Sequence, residues 1–182
     1  MSSSSTNLTV PRESEWPTYF SKSVIIKAPR QFVWDVLVDF DSYPKWNPYI
    51  RESTLIDATK KPLPGHQIAL GHQVALKVHM PPTMDDTVKM SAMTETVKQV
   101  QKPSELAWGS HRLPGWLFGA QHWNVLTEVE GGTKFEIVTV FSGFVTSMML
   151  SMLSMRQPFI ESVDTMAEAM KKRCEELAAN SN

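Results

Sequence analysis

The stretch from Val24 to Ile50, VIIKAPRQFVWDVLVDFDSYPKWNPYI, constrains the fold more than any other part of the chain. A β-branched run ends at Ala28-Pro29. Pro29 suits the first turn of a helix, where a missing N–H costs no hydrogen bond. Phe32, Val33, Val36, Leu37 and Phe40 then recur at three- and four-residue spacing and form one apolar stripe. Residues Ser42 to Trp46 predict a second short helix, stopped by Pro48. A strand at 23–27 therefore feeds two short helices that must pack back onto a sheet.

Strands dominate the middle of the chain. Residues 49–57 read as one, and the KKPLPG run at 60–65 as a turn. From His66 to Met80, Ile68, Leu70, His72, Val74, Leu76, Val78 and Met80 share one parity. Such alternation predicts one long, half-buried strand, bent at Gly71. Four more candidates lie at 88–101, 105–112, 119–129 and 133–143, with Glu130-Gly131-Gly132 as a hairpin turn between the last two. Helical spacing from Met149 through Leu177 predicts a long terminal helix over about 147–178, kinked or divided by Pro158. The expected fold is α+β: a curved antiparallel sheet of about six to seven strands wrapped around that helix, with two short helices after the first strand. Residues 1–21, Ser-rich and punctuated by Pro11 and Pro17, read as a partly disordered arm, and 22–179 as a single domain.

Composition removes several functions. With 182 residues and a net charge of −1, nothing draws the chain toward nucleic acid. The single Cys174 excludes an internal disulfide and a multi-cysteine metal site. His66 and His72 are six residues apart, on the order of 20 Å in a strand, too far to share an ion, and no HExxH, phosphate loop or GxGxxG occurs, so the expectation is no metal and no cofactor. The apolar run 144–153 is far short of the roughly 20 residues of a membrane span. With no signal-like start, a cytoplasmic location is expected.

Several polar residues interrupt apolar strand faces. His72 lies between Leu70 and Val74 in parity, either a base of lowered pKa or a core histidine bonded to a carbonyl. Glu95 shares parity with Met93 and Val97. If that face lines a cavity, desolvation raises its pKa into the range of a proton shuttle; a one-residue slip would turn it outward. His122 and Asn124 share parity with Leu126, but Trp123 and Val125 make the opposite face more apolar, so alternation alone does not choose a side. Thr139 shares parity with Phe135, Ile137 and Phe141. Trp46, Trp108 and Trp116 are candidate walls, as is Met80 at the end of its alternating run. Six of the eleven methionines fall between 148 and 170. Among them Met149 and Met152 suit an adaptable pocket lining.

An ordered set of pieces completes the picture: Ala28-Pro29 with Val33-Trp34, Asp39-Phe40, Tyr43-Pro44, Trp46-Asn47-Pro48, Glu105-Leu106 with Trp108, Gly119 with His122, Gly132-Thr133 with Phe135, and Phe141-Ser142-Gly143. Across residues 23–175 this set resembles the START/polyketide-cyclase (SRPBCC) superfamily and its helix-grip fold. The resemblance implies a cavity for a hydrophobic small molecule between sheet and terminal helix, no metal or redox cofactor, and His122 and Asn124 facing inward. It also implies carboxylates before the histidine and in the last strand; Gln121 and Thr139 stand there instead. The leading expectation is a cofactor-free cyclase, dehydratase or isomerase for a polyketide-like substrate, with His72 or Glu95 moving the proton and His122 and Asn124 orienting. The alternatives are a non-catalytic carrier of a lipid or other hydrophobic ligand and, more weakly, a regulatory binding module. The ligand and the oligomeric state stay open.

Overall fold

The structure, a computed structural model, describes residues 8–110, 116–152 and 155–180, the side chains of 151 and 152 excepted. Eight strands form one antiparallel sheet. Strand β1 (Thr18–Ile26) leads through helix α1 (Arg30–Val38) and a 3-10 turn (Phe40–Lys45) to β2 (Ile50–Ile56) and the two-residue β3 (Pro62–Leu63). A meander comes next: β4 (Gln73–Val78), β5 (Ser91–Gln101), β6 (Glu105–Gly109), β7 (Gly119–Val129) and β8 (Gly132–Ser142). Helices α2 (Phe144–Met152) and α3 (Arg156–Ala179) close the chain. The spatial order β1-β8-β7-β6-β5-β4-β2-β3 places the first two long strands toward opposite ends of the meander. Helix α1 and the 3-10 turn connect these two strands, and the sheet closes on α3, the helix-grip arrangement.

The core lies between sheet and helix. Ile26, Val33, Leu37, Val74, Leu126 and Phe135 meet Ala167, Met170 and Cys174, all essentially removed from solvent. Tyr43 donates its hydroxyl to Leu37 O at 2.7 Å, which satisfies a fully buried phenol. The terminal helix is divided ahead of Pro158, which takes the first turn of α3, where no intrahelical donor is required.

The strand expected over 66–80 is shorter than its alternation. A 3-10 turn at Gly65–Gln67 and a turn at 70–71 precede β4, and Leu70 is 60% exposed. Gly71 carries φ +84°, a conformation other residues rarely adopt, and so ends the extended run. His72 therefore precedes β4 instead of continuing it. The first strand begins at Thr18 and pairs with β8 along its whole length, from Thr18↔Phe141 to Ile26↔Thr133.

The sheet has a second buried face. Ala107, Trp123, Val138 and Val140 point away from the helix and are covered by Val10, Trp16 and Tyr19. The N-terminal segment thus lies across the back of the sheet. This explains the apolar alternation opposite His122: both faces of β7 are buried, so period two has no polar side to report.

Candidate functional site

Two adjoining pockets, the Asn124 lobe and the Glu95 lobe, lie between the sheet and α3. The Asn124 lobe, about 40 Å³, is walled by Trp108, Asn124, Ile137, Thr139, Ser162 and Met166. The Glu95 lobe, about 140 Å³, is walled by Glu95, Phe118, Phe141, Thr146 and Met149. Tyr49, Met93, His122 and Phe159 line both and form the waist between them. An apolar cavity of roughly 150 Å³ holds one benzene ring, and pockets for drug-sized ligands start near 300 Å³. A ligand much larger than a ring therefore needs Met93, Met149 or Phe159 to change rotamer.

Glu95 is 4% exposed. It opposes Val74 on β4 and shares its inward face with Val97, after which a bulge shifts the register so that Gln99 faces Ala107. Glu95 Oε2 has no hydrogen-bond partner among the described residues. Burial pushes its carboxyl up from 4.5 to about 7, partly opposed by the Lys98 charge. Desolvation in turn lowers the Lys98 ammonium, against the pull of Glu95.

His122 pairs in register with Trp108 on one side and Thr139 on the other. Its Nδ1 lies 3.1 Å from Thr139 Oγ1, and its ring meets Phe141 edge-on with centroids 6.1 Å apart. The imidazole lines both lobes, where the surrounding protein desolvates the ring. Desolvation, assisted by the Lys98 charge, lowers its pKa to about 4. At neutral pH it is an uncharged ring with one donor and one acceptor nitrogen.

Asn124, 1% exposed, donates Nδ2 to Leu106 O at 3.4 Å. A carbonyl only accepts, so the amide group facing Leu106 is the NH2, and the unpartnered atom is Oδ1. Asn124 thus carries an unpartnered acceptor, Oδ1.

The structure brings together Glu95, His122, Asn124, Trp108, Thr139 and Met149. It does not bring in the others. His72 is half-buried ahead of β4, its backbone bonded to Ala69 and Val97, and it lines neither lobe. Trp46 donates its indole N–H to Ser42 Oγ and packs on Tyr43, ring centroids 4.9 Å apart. Met80 lies in the bend after β4, outside both walls. Trp116 is 74% exposed. The Met152 side chain falls outside the described residues.

Sequence reading missed Tyr49. Asn47 Oδ1 accepts from the backbone N–H groups of Tyr49 and Ile50, both at 2.9 Å, and Tyr49 O accepts from His79 N at 2.9 Å. The Trp-Asn-Pro motif therefore fixes the entry to β2 and sets Tyr49 at the waist. Burial first, and then the Glu95 charge, raise the phenol, which stays a donor. Phe118 was missed too. Gly143, at φ +95°, lets the chain turn against Leu117, and Val145 N donates to Leu117 O at 2.9 Å. Among the described residues, no group of three His, Cys, Asp or Glu side chains is placed to hold a metal ion, and no helix is long and apolar enough to cross a membrane.

The family model for polyketide cyclase/dehydrase and lipid transport matches residues 17–180. The chain belongs to this family. A protein of Penicillium oxalicum named oxopyrrolidines biosynthesis cluster protein O is 30% identical over 134 residues, 67% of this chain; the chain spans 65% of that protein, just under two thirds. Among solved structures, the di-domain ARO/CYC BexL from the BE-7585A biosynthetic pathway superposes with a TM-score of 0.62 at 10% identity, covering 87% of this chain and 49% of its own. A START superfamily protein from Mycobacterium smegmatis gives 0.59 at 15%, covering 87% and 98%. At these identities the two structures speak to the fold, which is the START-like helix grip.

Proposed function

We propose that the protein is a cofactor-free enzyme that binds a compact, oxygenated, apolar molecule of polyketide type in the two-lobed cavity and moves a proton on it. The observation that carries this is Glu95: a carboxyl of pKa about 7, held at the wall of an apolar cavity. A group half-ionised at neutral pH can both take and return a proton.

The chemistry that fits is an aldol-type ring closure and then loss of water. The ionised Glu95 removes a proton from the carbon between two carbonyls. The electron pair left on that carbon attacks a second carbonyl of the same chain and forms the ring bond. The new alkoxide takes that proton back from the Glu95 carboxyl, which restores the carboxylate. In the dehydration, a further C–H proton passes to the Glu95 carboxylate as the C–O bond breaks, and the carboxyl then gives that proton to the departing hydroxide, which leaves as water. Tyr49, kept protonated, and neutral His122, ordered by Thr139, supply donors to the developing oxyanion.

The name of the Penicillium relative, from a biosynthetic gene cluster, and the family description both support a natural-product substrate. With a substrate in hand, Glu95→Gln should lower turnover by a factor of 100 or more, and the wild-type rate should rise with pH through about 7. Full turnover in Glu95→Gln would remove the assignment.

One observation favours a second reading, a non-catalytic carrier: most of the cavity wall is apolar, and Met93, Met149 and Met166 supply an adaptable surface. Native mass spectrometry separates the two. A co-purified molecule released unchanged, with no product formed from candidate substrates, favours the carrier.

A further inference from the structure

Two acceptors stand unpaired at the two ends of the cavity. Asn124 Oδ1 in one lobe and Glu95 Oε2 in the other have no hydrogen-bond partner among the described residues, and their side chains are 1% and 4% exposed. Leaving a buried polar group unsatisfied costs about 1–3 kcal/mol, more for a charged one, so each wants a donor. Between them lie Trp108, Met93, Phe159 and Phe141, with Tyr49 and His122 as the polar rings of the waist.

The strand register gives the span. Val97, Trp108 and His122 are cross-strand neighbours on β5, β6 and β7. Asn124 lies two residues beyond His122, and Glu95 two residues before Val97. Strands β5 and β7 both run antiparallel to β6, so these are opposite directions. Four residues along the strands and two strand spacings across put the two backbones on the order of 15 Å apart. Inward-reaching side chains shorten this to about the length of two fused rings with a substituent at each end.

We propose that the cavity selects a flat one- or two-ring molecule bearing a hydroxyl donor at each end, one for Asn124 Oδ1 and one for the Glu95 carboxylate. This rests on the reading that the cavity is a binding site and adds the polarity it demands. A purely apolar cavity prefers the compound with fewest hydroxyls, because each buried hydroxyl loses its water. This cavity should show the reverse order.

The test is a ladder of probes that differ only by hydroxyls: naphthalene, 2-naphthol and 2,6-dihydroxynaphthalene, titrated calorimetrically into the full chain at pH 8, where Glu95 is largely ionised. The expected order is diol tightest, then naphthol, then naphthalene, with steps of about 10-fold for the neutral acceptor and 10- to 100-fold for the charged one. The diol should lose its advantage over naphthol in Asn124→Leu and in Glu95→Leu, and naphthalene binding to the same variants reports whether the cavity survives. Diol binding should also weaken as the pH falls below about 7, because a protonated carboxyl is the poorer acceptor. Naphthalene binding tightest, or naphthol equalling the diol, would overturn the two-ended assignment and leave the cavity reading intact. No binding by any of the three would overturn both.

Discussion

Glu95 makes the fold itself sensitive to pH, and the size of the effect comes from the structure. Its carboxyl is raised from 4.5 to about 7, a difference of about 2.5 units. One unit corresponds to about 1.36 kcal/mol. Between these two values the native chain holds a proton that the unfolded chain has released, so stability falls as pH rises. The Glu95 contribution is complete below 4.5, declines through the interval, and levels off above 7. The loss is about 3 kcal/mol. A substitution of the same shape, Glu95→Gln, removes the titration. Urea unfolding of both proteins at half-unit steps from pH 4.5 to 8.5 gives two stability profiles, and their difference isolates the residue. Wild type should lose about 3 kcal/mol relative to Glu95→Gln across the interval, and the variant should be the more stable protein at pH 8. Parallel profiles would mean that Glu95 titrates as an ordinary surface carboxyl, which is incompatible with a buried wall position and with the proton-transfer role built on it.

Three further outcomes are expected. His122, lowered to about 4, should stay neutral through pH 5 by imidazole nitrogen shifts, and Thr139→Val should change its tautomer balance by removing the Oγ1 at 3.1 Å; a ring that titrates near 6.5 would contradict its enclosure. Trp123→Ala, on the outer face, should cost about 3–5 kcal/mol in urea unfolding, although the indole lines neither lobe; a cost under about 1 kcal/mol would mean the N-terminal segment does not seal that face. Gly143→Ala should destabilise by at least about 1 kcal/mol, because the position needs a left-handed φ of +95° and a new Cβ would sit 2.5 Å from Leu117 C; a neutral thermal shift would refute that conformation.

The sequence by itself determined the main strands and helices and the division of the terminal helix, because each is a local or periodic property; the sheet's grip on that helix came with the family resemblance, and the inward side of Glu95 depended on the strand register. A β-branched run, a proline in a first turn and a period of two or 3.6 residues are written in neighbouring positions. Tertiary structure decided everything that depends on what covers a face. The apolar parity of His72 pointed to the interior, yet Gly71 turned the chain and left that histidine outside both lobes. His122 could not be oriented by alternation on β7, because Val10, Trp16 and Tyr19 pack against the outer face of the sheet and both faces of that strand are buried. Tyr49 and Phe118 reach the cavity through Asn47, Gly143 and backbone bonds to distant segments, and Trp46, Met80 and Trp116 fall away for the same reason. Alternation records which side of a strand is dry, whereas a site is made where dry sides from separate strands converge, and that convergence is a property of the closed sheet.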